Sequence, residues 1–166
     1  MPWSTLASIE EPTDLPVVPG LEAGADGEGD EARYLVARAS GQRVAIPLLS
    51  TREVLTVRGV TRLPGAPSFI AGLVNVRGTV LTVMDLAVRL GGAPASGPVV
   101  VVDLAERRFG LRVDAVDGVA RAAAAEEGVE EARSAQGAVR GLVRLPDGAA
   151  LVMDVAALQR AALADA

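Results

Sequence analysis

From residue 33 onward, short apolar runs alternate with clusters of glycine, proline and small polar residues, a pattern that predicts strands and turns rather than helices. YLVARASGQRVAIPL, from Tyr34, reads as strand, turn at Ser40-Gly41, strand. STREVLTV reads as a helical turn leading into a strand. RGVTRLPGAP, broken by Gly59, Pro64, Gly65 and Pro67, reads as a loop. In SFIAGLVNVRGTVLTVMDL two β-rich runs flank Arg77-Gly78, which predicts a hairpin. Leu86 to Leu90 form a short helix at most, stopped by Gly91-Gly92. GGAPASGP reads as a linker, and PVVVVDL behind it is a continuous apolar run that suits a strand buried on both faces. RFGLRVDAVDGVARAA continues as strand, EEGVEEARSAQG as a polar loop, and AVRGLVRL, Pro146-Asp147-Gly148 and AALVMDV as a second hairpin. VAALQRAALADA closes the chain as an amphipathic helix with Asp154 as its N-cap.

The two hairpins echo each other. GLVNVRGTVLTVMDLAVRL and GLVRLPDGAALVMDVAALQRA share a Gly-Leu-Val entry, a Val-Met-Asp exit and a following helix. Two similar β-lobes are therefore expected: a first over about 33–91, a linker at 92–98, and a second over about 98–164. Many short strands with regular turn signals point to barrels rather than a βαβ sheet.

Composition narrows the chemistry. The chain of 166 residues has no cysteine and no histidine, and all sixteen of its basic residues are arginine. Thiol nucleophiles, His-based triads, His or Cys metal sites and catalytic or P-loop lysines are excluded. No Gly-rich phosphate loop or nucleophile elbow is present, so no enzyme activity and no cofactor are expected. Residues 1–32 hold eight acidic residues, no basic one, and four each of proline and glycine, which predicts a disordered tail. The remainder carries sixteen basic against thirteen acidic residues. That small excess, with only four aromatic side chains in the chain, gives no reason to expect nucleic-acid binding. Neither a signal peptide nor an apolar run long enough to cross a bilayer is evident, so a cytoplasmic location without membrane insertion is expected.

Residues 61–91, TRLPGAPSFIAGLVNVRGTVLTVMDLAVRLG, resemble the signature of CheW-like domains: a proline-bounded loop, a strand, Gly72, then Asn75-Val76-Arg77-Gly78, a second strand and Asp85-Leu86. Glu53-Val54 upstream, Gly110, Leu111, Val113, Asp114 and Val116 downstream, and Gly141 with Leu151-Val152-Met153-Asp154 extend the resemblance over about 33–164. It implies an all-β fold of two five-stranded SH3-like barrels sharing a core, with short helices and a C-terminal helix. It also implies a non-catalytic adaptor of chemotaxis signalling that couples the cytoplasmic tips of methyl-accepting chemoreceptors to the regulatory domain of a CheA-type histidine kinase. The alternative is a diverged CheW-like regulator of another chemosensory, surface-motility or second-messenger pathway. The long acidic tail and the 121–138 segment depart from the family pattern.

An arginine held among apolar strands needs a carboxylate, and Glu53 is the candidate partner of Arg77. Removing either partner is expected to cost roughly 3–5 kcal/mol if the pair is buried and much less if it is exposed. Gly72, Gly78, Gly110 and Gly141 are motif glycines at turns or close approaches, and Asn75 is expected to bridge backbone groups of its hairpin. Asp85, Asp114 and Asp154 match no calcium-loop spacing and read as caps and turn residues. By the resemblance, Val54, Val60 and Leu63 are assigned to a kinase interface. Arg77, Val99, Val116 and Val119 are assigned to a receptor interface.

Overall fold

Three hairpins turn on two residues that both lie in the left-handed region. β2 (Glu31–Ala39) and β3 (Gln42–Pro47) are joined by Ser40 and Gly41, at φ 56° and 71°. β5 (Ile70–Val76) and β6 (Thr79–Asp85) are joined by Arg77 and Gly78, at 49° and 86°. β7 (Val99–Leu104) and β8 (Arg107–Arg112) are joined by Ala105 and Glu106, at 55° and 64°. Two positive φ values in a two-residue loop define the turn whose twist matches that of the flanking strands. The remaining elements are β1 (Ala7–Ser8), β4 (Thr51–Leu55), α1 (Leu86–Arg89), β9 (Ala115–Ala123), β10 (Val139–Leu145), β11 (Gly148–Met153) and α2 (Val155–Leu163). This is a computed structural model, and it describes residues 7–8, 31–123 and 137–163. The helical turn expected within STREVLTV falls earlier, as a 3₁₀ turn at Leu48–Ser50, and Thr51–Leu55 are already strand.

The strands form two sheets, ordered β1-β5-β6-β8-β7-β4 and β10-β11-β3-β2-β9. Apart from the two-residue β1, both follow one plan. A hairpin (β5-β6 or β10-β11) lies parallel to the second strand of another hairpin (β7-β8 or β2-β3), and a single strand (β4 or β9) completes the row. The echo in the sequence is thus real in space. Each echoed hairpin also carries a bulge at its glycine, between Ile70 and Gly72 and between Val139 and Gly141. Each sheet curls until its edges meet: Thr61, just past β4, bridges Leu73 of β5, and β9 approaches β10.

The expected boundaries need correction. The first sheet is built from residues 51–112, β1 aside. The second takes β2 and β3 from before that stretch and β9 to β11 from after it. One sheet is nested inside the other, and the division does not fall at 92–98. GGAPASGP joins α1 to β7 within the first sheet and is anchored there at Ala95, its one buried residue, and at Gly97 and Pro98. The carboxylate of Asp85, itself 5% exposed, accepts from the Val88 amide to cap α1 and from the Ala95 amide at 2.9 Å. Gly97 and Pro98 pair with Val113 through the backbone. The tail expectation lies outside the described residues except at Ala7–Ser8, and β2 already begins at Glu31, inside the expected tail. The polar EEGVEEARSAQG loop likewise lies outside the described residues, Gly137 excepted.

One core joins the sheets. Leu35, Ile46 and Met153 of the second sheet meet Val100, Val102, Phe109 and Leu111 of the first, with Leu158 of α2 among them. Smaller clusters fill the inside of each sheet. β7 serves two of these clusters, with Val99 and Val101 facing the inside of its own sheet and Val100 and Val102 facing the shared core. That explains its unbroken apolar run. The Ala157 amide donates to Asp154, which caps α2 as expected. Gln159 then donates its side-chain amide to the carbonyls of Leu104 and Arg107, fastening α2 to the β7-β8 turn. No helix among the described residues is long and apolar enough to cross a membrane.

Candidate functional surfaces

The Asn-x-Arg-Gly motif is a turn device. The Asn75 side-chain oxygen accepts from the Gly78 amide at 2.8 Å, which fixes the turn and aims Arg77 outward. Arg77 then donates to both carboxylate oxygens of Glu53, at 2.6 and 3.5 Å. Leaving out the two-residue β1, β4 and β5 lie at opposite ends of the strand order, so the ion pair spans the seam where the first sheet closes on itself. The Arg77 side chain is 62% exposed, which places the pair on the surface. Alanine replacements at Glu53 and Arg77 in a double-mutant cycle should therefore show a coupling below about 1 kcal/mol, measured by urea unfolding. A coupling of several kcal/mol would mean that the pair is effectively buried.

A second ionic cluster ties β4 to the β7-β8 hairpin. Asp103 accepts from Arg52 and Arg108 at 3.2 and 3.1 Å. Its desolvation raises the carboxyl pKa, but the two guanidinium hydrogen bonds and charges outweigh this and hold it below the usual value.

At the junction of the sheets an open groove of about 390 Å³ is lined by Thr56 and Val57 past β4, by Ser96, Gly97 and Pro98, and by Asp114, Ala115 and Val116. The groove exists because the chain crosses from one sheet to the other at Val113-Asp114. Gly97 packs on that crossing so closely that any side chain there would collide with the Asp114 carbonyl. Asp114 is exposed at the groove and caps no helix, unlike Asp85 and Asp154. Among the described residues no cluster of metal-ligating side chains occurs.

The positions assigned to interfaces separate by burial. Val54 and Val99, assigned to the kinase and receptor interfaces, are core residues of this chain at 5% and 0% exposure: β4 and β7 turn them into the shared core and the first sheet's interior. Val60 is half-buried against the first sheet's interior. Leu63 projects from the loop before β5 at 45% exposure. Val116 lines the groove, and Val119 is half-buried further along β9. Arg77 is exposed at its hairpin tip. Gly110 is a close approach, since an added Cβ would lie 2.6 Å from Val99. The groove walls at Thr56, Val57 and Ser96 escape a sequence reading, because their proximity depends on the nested sheets. The sequence signal that existed, Gly97-Pro98, falls in a stretch that reads as linker. Leu49 is 83% exposed in the 3₁₀ turn, an apolar side chain on the surface that no motif of the sequence marks.

Two nested sheets of one plan around a shared core, with a groove at their crossing, define an all-β two-sheet domain. The CheW-like domain model matches residues 33–162, and the chain belongs to that family. It is 35% identical over 97 residues to the "Probable chemotaxis protein CheW" of Rhizobium etli, a match covering 55% of this chain and 61% of that protein. It is 34% identical over 92 residues to the "Chemotaxis protein CheW" of Rhizobium meliloti, covering 52% and 59%. In both cases the match spans less than two thirds of the relative's own length. Among solved structures, the scaffolding protein TtCheW of Thermoanaerobacter tengcongensis superposes with a TM-score of 0.66 at 23% identity, over 74% of this chain and 88% of that one. That likeness bears on the fold.

Proposed function

We propose that this chain is a non-catalytic chemotaxis scaffold in the cytoplasm, which couples chemoreceptor tips to a CheA-type histidine kinase in membrane-associated arrays. The observation that carries the proposal is the open groove at the junction of the sheets, lined by Val57, Pro98, Ala115 and Val116, in a chain of the CheW-like family. A cleft with these apolar side chains beside Thr56, Ser96 and Asp114 is suited to a protein partner. The names of the Rhizobium relatives support the chemotaxis setting. In this reading the groove takes the receptor tip. The loop between β4 and β5, with exposed Leu63 and half-buried Val60, takes the kinase regulatory domain.

A scaffold must hold both partners at once. The test is calorimetric titration with a receptor cytoplasmic-tip fragment and with a kinase regulatory domain, singly and together. Each should bind with a dissociation constant in the micromolar range, about −8 kcal/mol. Chain saturated with one partner should bind the other unchanged. Mutual exclusion of the two partners would contradict the scaffold reading.

A further inference from the structure

The outer edge of β5 is covered by two pieces of this chain. Thr61 exchanges two backbone hydrogen bonds with Leu73, at 2.9 and 2.8 Å. Immediately beyond, Ala7 and Ser8 pair in parallel with Val74 and Asn75. Strand groups alternate sides, so the Asn75 amide points outward as the Leu73 amide does, and it is the donor that β1 covers. The two covers differ in attachment. Thr61 is held near β5 by a tight approach, since a Cβ on Gly72 would collide with the Thr61 carbonyl. Ala7–Ser8 is a two-residue strand, 22 residues from the start of β2. An uncovered strand edge is a template for pairing with another extended chain.

We propose that the β5 edge at Val74–Asn75 is a strand-accepting surface, and that the chain's own Ala7–Ser8 segment occupies it in cis as a removable cover. Any extended segment that adds to this sheet at Asn75 must first displace that cover. The same strand runs into the Asn75–Gly78 turn that carries Arg77, so the cover and the hairpin tip share one element.

The test uses the chain and its variant Ala7→Pro/Ser8→Pro, in which proline's fixed φ opposes the extended strand that presents a carbonyl to the Asn75 amide, and the strand's own donors are lost as well. Amide hydrogen exchange is followed by NMR at Asn75, with Leu73 and Leu81 as internal references. In the variant, Asn75 should exchange at least tenfold faster, while Leu73, held by Thr61, and Leu81, inside the sheet, stay unchanged. A peptide of residues 3–12 is then added to the variant at about 5 mM, a millimolar effective concentration of the kind that linkage within one chain supplies. It should restore slow exchange at Asn75. Unchanged Asn75 exchange in the variant would overturn the cis cover. Failure of the peptide to restore protection would overturn the strand-accepting edge.

Discussion

Phe109→Ala should lower the unfolding free energy by about 3–5 kcal/mol, the usual range for emptying a buried aromatic site. Phe109 has no exposed surface and sits in the core that both sheets line. Neither sheet is expected to persist without the other: α2 follows the second sheet in sequence yet is fastened by Gln159 to the β7-β8 turn of the first. The variant should therefore still unfold in a single urea transition, shifted to lower denaturant with the slope kept. A two-step transition, with one sheet melting first, would show that the shared core does not couple them.

Gly72→Ala should cost at least about 2 kcal/mol, although it adds a single methyl group. Gly72 has φ 145°, a conformation L side chains rarely adopt, and the added Cβ would drive into the Thr61 carbonyl and press on Val60. Relief requires the Thr61–Leu73 bridge to open, which unseals the first sheet. Gly78→Ala is the control. It shares a positive φ of 86° but has open space around it, so it should lose only the conformational penalty, about 1 kcal/mol. Equal losses at the two positions in urea unfolding would remove the collision from the explanation.

The local devices of this fold were legible because each is written in a few neighbouring residues. Arg77-Gly78 announces a turn, Met-Asp before an apolar run announces a capped helix, and four consecutive valines announce a strand buried on both faces. Nesting was not legible. Pairing Leu151 with Val44 joins strands more than a hundred residues apart, and nothing near either residue records it. GGAPASGP looked like a boundary because its composition is that of an exposed linker. The buried carboxylate of Asp85 instead recruits its Ala95 amide, a contact visible only once β6 and α1 are in place. The interface positions show the same limit. Valines 54, 99 and 116 look alike in sequence, and strand facing alone sends the first two inward and leaves Val116 on the groove. The ion pair of Glu53 and Arg77 was inferred from chemical need, and the contact exists, but its exposure depends on a sheet seam that no local pattern encodes.

A single small β domain that couples two partners needs two separable binding surfaces. The most direct measurement is binding of Val116→Glu and Leu63→Glu, each confirmed as folded by its amide spectrum, to the receptor-tip fragment and to the kinase regulatory domain. A carboxylate placed on the groove wall must be desolvated for an apolar partner to seat. Val116→Glu should therefore weaken receptor binding at least tenfold, about 1.4 kcal/mol, and leave kinase binding unchanged. Leu63→Glu, on an exposed side chain, should do the reverse. If both folded variants bind both partners with wild-type affinity, or if either variant loses both partners together, the two-surface scaffold is contradicted.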